Sequence, residues 1–247
     1  MKIIFSRKGF DSTSGRAPSP IIDGVLYSLP IPTGDYPSAS TYDDLGLGDA
    51  LSKVQSRYTA KCLCHEDPMF WDDRCAFGQT SGAQGILEKQ EVGEGDVFLF
   101  FGLFNELCSD DRHHRIFGYL EIENVLPIGC HPTGKEVPGP SRQHPHTIAK
   151  WDNGKEWQKN NTIYTGRGRK ARKASDILRL TKSGCRASFW SILECLREAR
   201  LPQRTWRWCE DGTRQVIVGQ EFVADVGDLP EPKRWLNKII AAIETNG

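Results

Sequence analysis

The chain has 247 residues, with 32 Lys plus Arg against 32 Asp plus Glu, so its formal net charge is zero; overall charge gives no pull toward a polyanion, and any nucleic-acid contact needs a local patch. Its 38% hydrophobic residues, seven Trp and eleven Phe among them, are ordinary for a globular domain and can fill a sizeable core. No run of about eighteen apolar residues is present, which excludes a membrane-spanning helix, and the N-terminus lacks the apolar stretch of a signal peptide, so a cytoplasmic location is expected.

Taken from the N-terminus, Lys2-Ile3-Ile4-Phe5 reads as a buried strand. It gives way to Ser6-Arg7-Lys8-Gly9-Phe10-Asp11-Ser12, a polar loop carrying two cations and a carboxylate. A glycine-broken helix is expected around Leu45 to Tyr58, and a glycine-rich loop over Phe77 to Gly85. Gly93-Glu94-Gly95-Asp96 is a turn into the strand Val97 to Phe101. Phe117 to Ile122 continues into Val125 and Leu126, and Thr162 to Tyr164 is a short strand. His131 to His146, rich in Pro and Gly, is a long loop. Ala187 to Ala199 is a second helix candidate, and Gln215 to Val218 and Glu221 to Val226 are strands. Leu236, Ile239, Ile240 and Ile243 fall at i, i+3, i+4 and i+7 behind Pro232, the clearest helix of the chain. No internal repeat or low-complexity linker divides residues 1–247. The expectation is a single α+β domain on a curved, mostly antiparallel sheet or partial barrel with a few flanking helices.

Eight cysteines follow no disulfide-framework spacing and are expected as thiols. Cys62-Leu63-Cys64-His65, with Cys75 beyond, raises the question of zinc. One residue between paired cysteines is too few for a usual structural site, so neither a metal nor another cofactor is expected.

Several stretches carry residues fit for chemistry. Arg7, Lys8 and Ser12 among glycines suit a backbone nest around a phosphate. Asp11 either caps a turn or does acid–base work. Tyr42-Asp43-Asp44-Leu45 either starts a helix or walls a pocket for a flat ring. His65-Glu66-Asp67-Pro68 supplies a general acid, a metal ligand or a structural hydrogen bond. Gln79 and Gln84 each offer a donor and an acceptor, as reading a base edge requires. His144-Pro145-His146 is a contact for metal or phosphate, or a surface loop. Arg167 to Lys173 places five cations in seven residues, a DNA-backbone contact or a solvated loop.

In combination these stretches resemble a known family. FSRKGFDS at the start, YDDL at Tyr42, HEDP at His65, FGQTSGAQG at Phe77, GDVFLFFGLF at Gly95, HPH at His144 and GQEF at Gly219 are similar to the third nucleotide modification-associated domain family of bacteria and phages. The unit GEGDVFLFFGLF…HRIFGYLEIENV also resembles the barrel core of PUA-like domains, which include readers of modified bases. The resemblance implies an antiphage DNA glycosylase that excises a bulky modified pyrimidine, glucosylated 5-hydroxymethylcytosine, from phage DNA and leaves an abasic site. Its partner is then DNA carrying modified bases, with no membrane and no obligate protein partner. Ile86 stands where the family pattern has a His after GAQG, so a His there is not needed in this chain.

On that reading Asp11 or Asp44 stabilises the oxocarbenium-like sugar and presents water. Arg7, Lys8 and Ser12 grip phosphates, and Phe10 or Tyr42 stacks on the base. His65, Gln79 or Gln84 donates to the leaving base. Arg167, Arg169, Lys170, Arg172 and Lys173 follow the DNA backbone. Three alternatives remain open. Lys8 as an amine nucleophile would give a Schiff base and strand scission. A PUA-like reader would bind without chemistry. A modification-dependent nuclease would draw on Glu66, Asp67, Asp72 and Asp73.

Overall fold

Ile3, Ile4 and Phe5 leave no polar side chain to turn outward, and the strand they form is buried on both faces, the pattern of a central strand. The structure is a computed structural model and describes residues 1–33, 37–132, 137, 139, 143–148, 154–201, 206–209, 213–216 and 221–245. Its strands are β1 (Lys2–Arg7), β2 (Ser19–Ile22), β3 (Val25–Leu26), β4 (Ile31–Pro32), β5 (Ser40–Thr41), β6 (Leu63–His65), β7 (Met69–Trp71), β8 (Arg74–Gln79), β9 (Val97–Glu106), β10 (His113–Pro127), β11 (Thr162–Lys170), β12 (Phe189–Trp190), β13 (Trp206–Trp208), β14 (Arg214–Val216) and β15 (Glu221–Asp225). Its helices are α1 (Gly48–Ser52), α2 (Ser81–Lys89) and α3 (Pro230–Thr245).

Nine strands make the main sheet in the order β15-β1-β9-β10-β11-β8-β7, with β2 added to β9 and β3 to β2. β1 and β2 run parallel to β9, and the other pairings are antiparallel. Two three-stranded sheets, β12-β14-β13 and β4-β6-β5, flank it. The α+β architecture on a curved sheet is therefore as expected. The long strand β10 changes register against β9 between Ile116 and Gly118, and against β11 between Ile122 and Asn124. Such irregularities bend a strand and increase its twist. The curl has a direct consequence. β1 and β8 are separated in the sheet order by β9, β10 and β11, yet the Gln79 amide at the end of β8 reaches Glu221 beside β1 at 2.7 Å.

Helix α3 buries Pro232, Leu236, Ile239, Ile240 and Ile243 against the main core, and the Tyr119 hydroxyl of β10 donates to its Glu244 at 2.8 Å. A second core gathers Phe10, Leu29, Tyr42, Leu47, Leu51 and Cys64 beneath the N-terminal loops.

Four sequence expectations are corrected. The helix over Ala187 to Ala199 is instead β12 followed by a 3-10 turn at Ile192–Leu196. Trp190 is fully buried there beside Phe5 and Phe101, so packing overrides helical spacing. The helix around Leu45 to Tyr58 shrinks to the five residues of α1. The glycine-rich loop over Phe77 to Gly85 is the end of β8 and the first half of α2. Burial of Gln84 and Leu87 outweighs the poor helix propensity of Gly82 and Gly85. The short strand at Thr162 extends nine residues to Lys170, so the first part of the basic run is strand rather than loop. Ile217 and Val218, expected in a strand, lie outside the described residues, as does much of the loop from His131 to His146.

Candidate active site

Asp67 follows β6 and joins Pro68 through a cis peptide bond. Its side chain is 4% exposed, and three imidazoles surround it. His144 Nε2 lies 3.5 Å from Oδ1, and the Gly78 N–H donates to the same oxygen at 2.9 Å. His65 Nε2 and His146 Nε2 face Oδ2 at 3.8 and 3.6 Å. The hydrogen bonds behind the rings fix two tautomers. His144 Nδ1 accepts the backbone N–H of His146, so the proton of neutral His144 sits on Nε2, toward Asp67. The Asn161 amide nitrogen donates to the carbonyls of Gly129 and His146, which leaves its Oδ1 as acceptor for His146 Nδ1 at 2.6 Å. Neutral His146 thus turns a bare Nε2 toward Asp67.

Burial depresses His65 to about 4 and His146 to about 3, with Asp67 opposing the shift in both. Burial would raise Asp67, but the His144 hydrogen bond and the surrounding imidazoles hold it well below the usual carboxylate range. At neutral pH the Asp67 carboxylate is ionised and the His65 and His146 imidazoles are neutral. The His146 ring stacks on Trp157, centroids 4.3 Å apart, and its other face closes on Gly78, where a Cβ would come within 2.4 Å of the ring. Glycine at 78 is required by that approach.

These groups open onto a cavity of about 370 Å³ whose walls include Asp67, His65, His146 and Trp157 together with Arg7, Lys8 and Asp11. Thr80, Ser81, Gly82 and Ala83, around the start of α2, and Glu156 also line it. A helix start presents unpaired N–H groups and positive potential. Ser81 has φ +56°, and Asn160 clamps it by accepting its N–H and donating to its carbonyl, each at 2.9 Å. Lys8 is placed by Glu221, 1% exposed, whose Oε1 accepts from Ser6, Lys8 and Gln79. Burial raises the Glu221 carboxyl while Lys8 opposes. The Lys8 ammonium also lies 4.3 Å from the centre of the Phe77 ring. A second depression of about 270 Å³ shares Lys8, Gly9 and Asp67 with the first and adds Asp44, Glu66, Phe70 and Lys170.

Of the residues singled out in the sequence, Arg7, Lys8, Asp11, His65 and Gln79 line the larger cavity. Asp11 accepts the N–H groups of Thr13 and Ser14 on Oδ1, both at 2.7 Å, while Oδ2 lies 4.0 Å from Arg7; it closes a turn and faces the cavity at once. Asp44 does not join it. Its Oδ2 accepts from the Thr41 N–H and hydroxyl at 2.7 Å, and the residue borders the second depression. Phe10 and Tyr42 are fully buried in the second core, where the Tyr42 hydroxyl donates to the Pro30 carbonyl, so neither offers a stacking face to the cavity. Gln84 is buried and accepts from the Tyr164 hydroxyl. Ser12 is exposed at the loop tip.

Strand alternation splits the basic run. Arg167 and Arg169, opposite Glu121 and Tyr119, lie on the face of α3, and Arg167 pairs with Glu121 and Glu244. Lys170 lies on the other face in the wall of the second depression. Arg172 and Lys173 are exposed beyond the strand.

Among the described residues, the one cluster able to hold a metal ion is His65, Asp67 and His146. Cys62 and Cys64 are not part of it, since Cys64 points into the second core. The sequence motifs HEDP, HPH and GQEF mark this region, but Asp67 enters there only as a nuclease carboxylate, and Glu221 and Asn161 have no role in that reading. These residues are brought together from 65–67, 144–146, 161 and 221: the first three groups flank the paired strands β7, β8 and β11, and the curl of the sheet adds Glu221.

A family model described as Nucleotide modification associated domain 3 matches residues 2–225. No curated protein and no solved structure matches the chain. The matched stretch runs from the first residue of β1 to the last of β15 and holds every residue named in the cavity wall, so the chain belongs to the nucleotide modification associated domain 3 family.

Proposed function

We propose that the protein is a monofunctional DNA glycosylase that hydrolyses the N-glycosidic bond of a bulky modified pyrimidine in phage DNA, glucosylated 5-hydroxymethylcytosine being the expected substrate, in antiviral defence. The observation that carries this reading is that one nucleoside-sized cavity is lined both by the ionised Asp67 cluster and by Arg7, Lys8 and the α2 start. A duplex base is out of reach of such a site, so the nucleotide must be extruded. Arg7, Lys8 and the α2 N–H groups then receive phosphate oxygens, and Asp67 lies at the sugar. As the C1′–N1 bond breaks, its electron pair leaves with the base. Water adds its oxygen to C1′, and the proton it sheds passes by way of the carboxylate–imidazole cluster to the base. The products are a neutral free base and an abasic sugar.

Membership in a family named for nucleotide modification supports a modified substrate. The adjoining depression supports a bulky one. Asp44, Glu66 and Lys170 offer hydrogen bonds to sugar hydroxyls there, and Phe70 an apolar face. Asp11 holds Arg7 and shapes the rim. Lys8, paired to buried Glu221, acts as a cation.

Duplexes with cytosine, 5-hydroxymethylcytosine or its α-glucoside at one position, treated with wild type and Asp67→Asn, test the reading. Alkali-labile sites should form in the glucosylated duplex alone and fall by about two to four powers of ten in the variant. Tight binding of modified DNA without labile sites would make the protein a reader. Strand breaks appearing before alkali would make it a nuclease or lyase.

A further inference from the structure

We infer that His65, Asp67 and His146 form a binding site for a first-row divalent transition-metal ion, with its open coordination positions toward the larger cavity. The inference rests on which atoms the fold has already used. Asp67 Oδ1 accepts the Gly78 N–H, and the Nε2 of His144, which carries the proton in its neutral tautomer, stands 3.5 Å from the same oxygen. Oδ2 instead faces His146 Nε2, from which Asn161 has drawn the proton to the far side of the ring. A bare imidazole nitrogen and a carboxylate oxygen 3.6 Å apart present lone pair to lone pair. That arrangement is repulsive unless something positive lies between them. His65 Nε2 approaches the same oxygen at 3.8 Å, and the three donor atoms all lie within 4.8 Å of one another. Ligands of a tetrahedral ion with bonds of about 2.1 Å stand roughly 3.4 Å apart, so a small inward movement suffices.

The supporting groups are those that metal sites use. Asn161 orients a ligating imidazole through its far nitrogen, and His144 with Gly78 orients the ligating carboxylate. Two imidazoles and one carboxylate favour zinc, iron, cobalt or nickel over magnesium and calcium, which prefer all-oxygen shells. The cavity beside the cluster leaves room for water on the ion.

The site shares its residues with the proposed reaction, but its readout is binding and not base release, so either can fail without the other. Protein stripped with chelator and titrated with Co(II) should take up a single equivalent, giving d–d bands without a thiolate charge-transfer band. Zn(II) should displace it and raise the melting temperature. Asp67→Asn and His146→Gln should abolish uptake. Asn161→Ala, which keeps all three ligands, should weaken it by about 10- to 100-fold, and circular dichroism checks that each variant is folded. No uptake by folded wild type, uptake unchanged in Asp67→Asn, or a thiolate band showing the cysteines to be the ligands would each overturn the site.

Discussion

Asp67, His146 and Gly78 show how a single position decides the site. Gly78 serves twice: its N–H orients Asp67, and its missing side chain admits the His146 ring. Gly78→Ala places a methyl within 2.4 Å of that ring, which Trp157 and Asn161 hold from the other sides. We expect a loss of about 1 to 3 kcal/mol of stability, read by chemical denaturation. Activity should fall further than stability explains, since the His146 tautomer and the Asp67 approach shift together. Wild-type stability and activity in Gly78→Ala would show that the ring has room to move and that the close approach is incidental. Asp11 is the contrasting residue. The turn it closes is satisfied through one oxygen, and the two readings open in the sequence, turn cap and site carboxylate, describe the two ends of the same side chain.

Among the elements, β10 and β11 do the most to shape the molecule. β10 carries both register shifts and brings His114 beside Trp190, whose indole N–H donates to its Nδ1 at 3.0 Å. Burial, then Arg7 and His113, depress His114 to about 3, with Asp11 opposing. The unfolded chain protonates His114 near its ordinary 6.5, so the neutral ring's contribution is present above pH 6.5 and is lost as pH falls toward 3. By pH 5 this costs about 1 to 2 kcal/mol, the range allowing for partial exposure of the ring. Denaturation of His114→Gln should show a shallower loss of stability between pH 6.5 and 5 than wild type; equal slopes would remove His114 as a cause.

On β11 the alternation of the strand turns a basic run in the sequence into two faces. Neutralising Arg172 and Lys173 together should weaken DNA binding equally across sequences and lower the slope of log affinity against log salt by about 1 to 2. Arg167→Gln should leave that slope unchanged, because Arg167 is held by Glu121 and Glu244. The opposite pattern would place the DNA on the α3 face.

Across the whole molecule, what local pattern determines was legible in the sequence. The alternating and β-branched runs gave most of the main strands, and the spacing of Leu236, Ile239, Ile240 and Ile243 gave α3. The helix expected at Ala187 failed because Trp190 is buried by contacts from Phe5 and Phe101, far off in the chain. The cavity was half legible. Arg7, Lys8 and Asp11 lie together in the sequence and stay together in the fold. Asp67, His146 and Asn161 meet only through the pairing of β7, β8 and β11, and Glu221 through the curl of the sheet, and each alone is an ordinary polar residue.

The central claim is that this cavity breaks a glycosidic bond. It is tested most directly by mass spectrometry of the small molecules released from a duplex carrying one α-glucosylated 5-hydroxymethylcytosine. Wild type should release the intact glucosylated base, one per abasic site formed, and Asp67→Asn about 100- to 10,000-fold less. Release of free glucose or of a nucleotide in place of the base, or undiminished base release from folded Asp67→Asn, would contradict it.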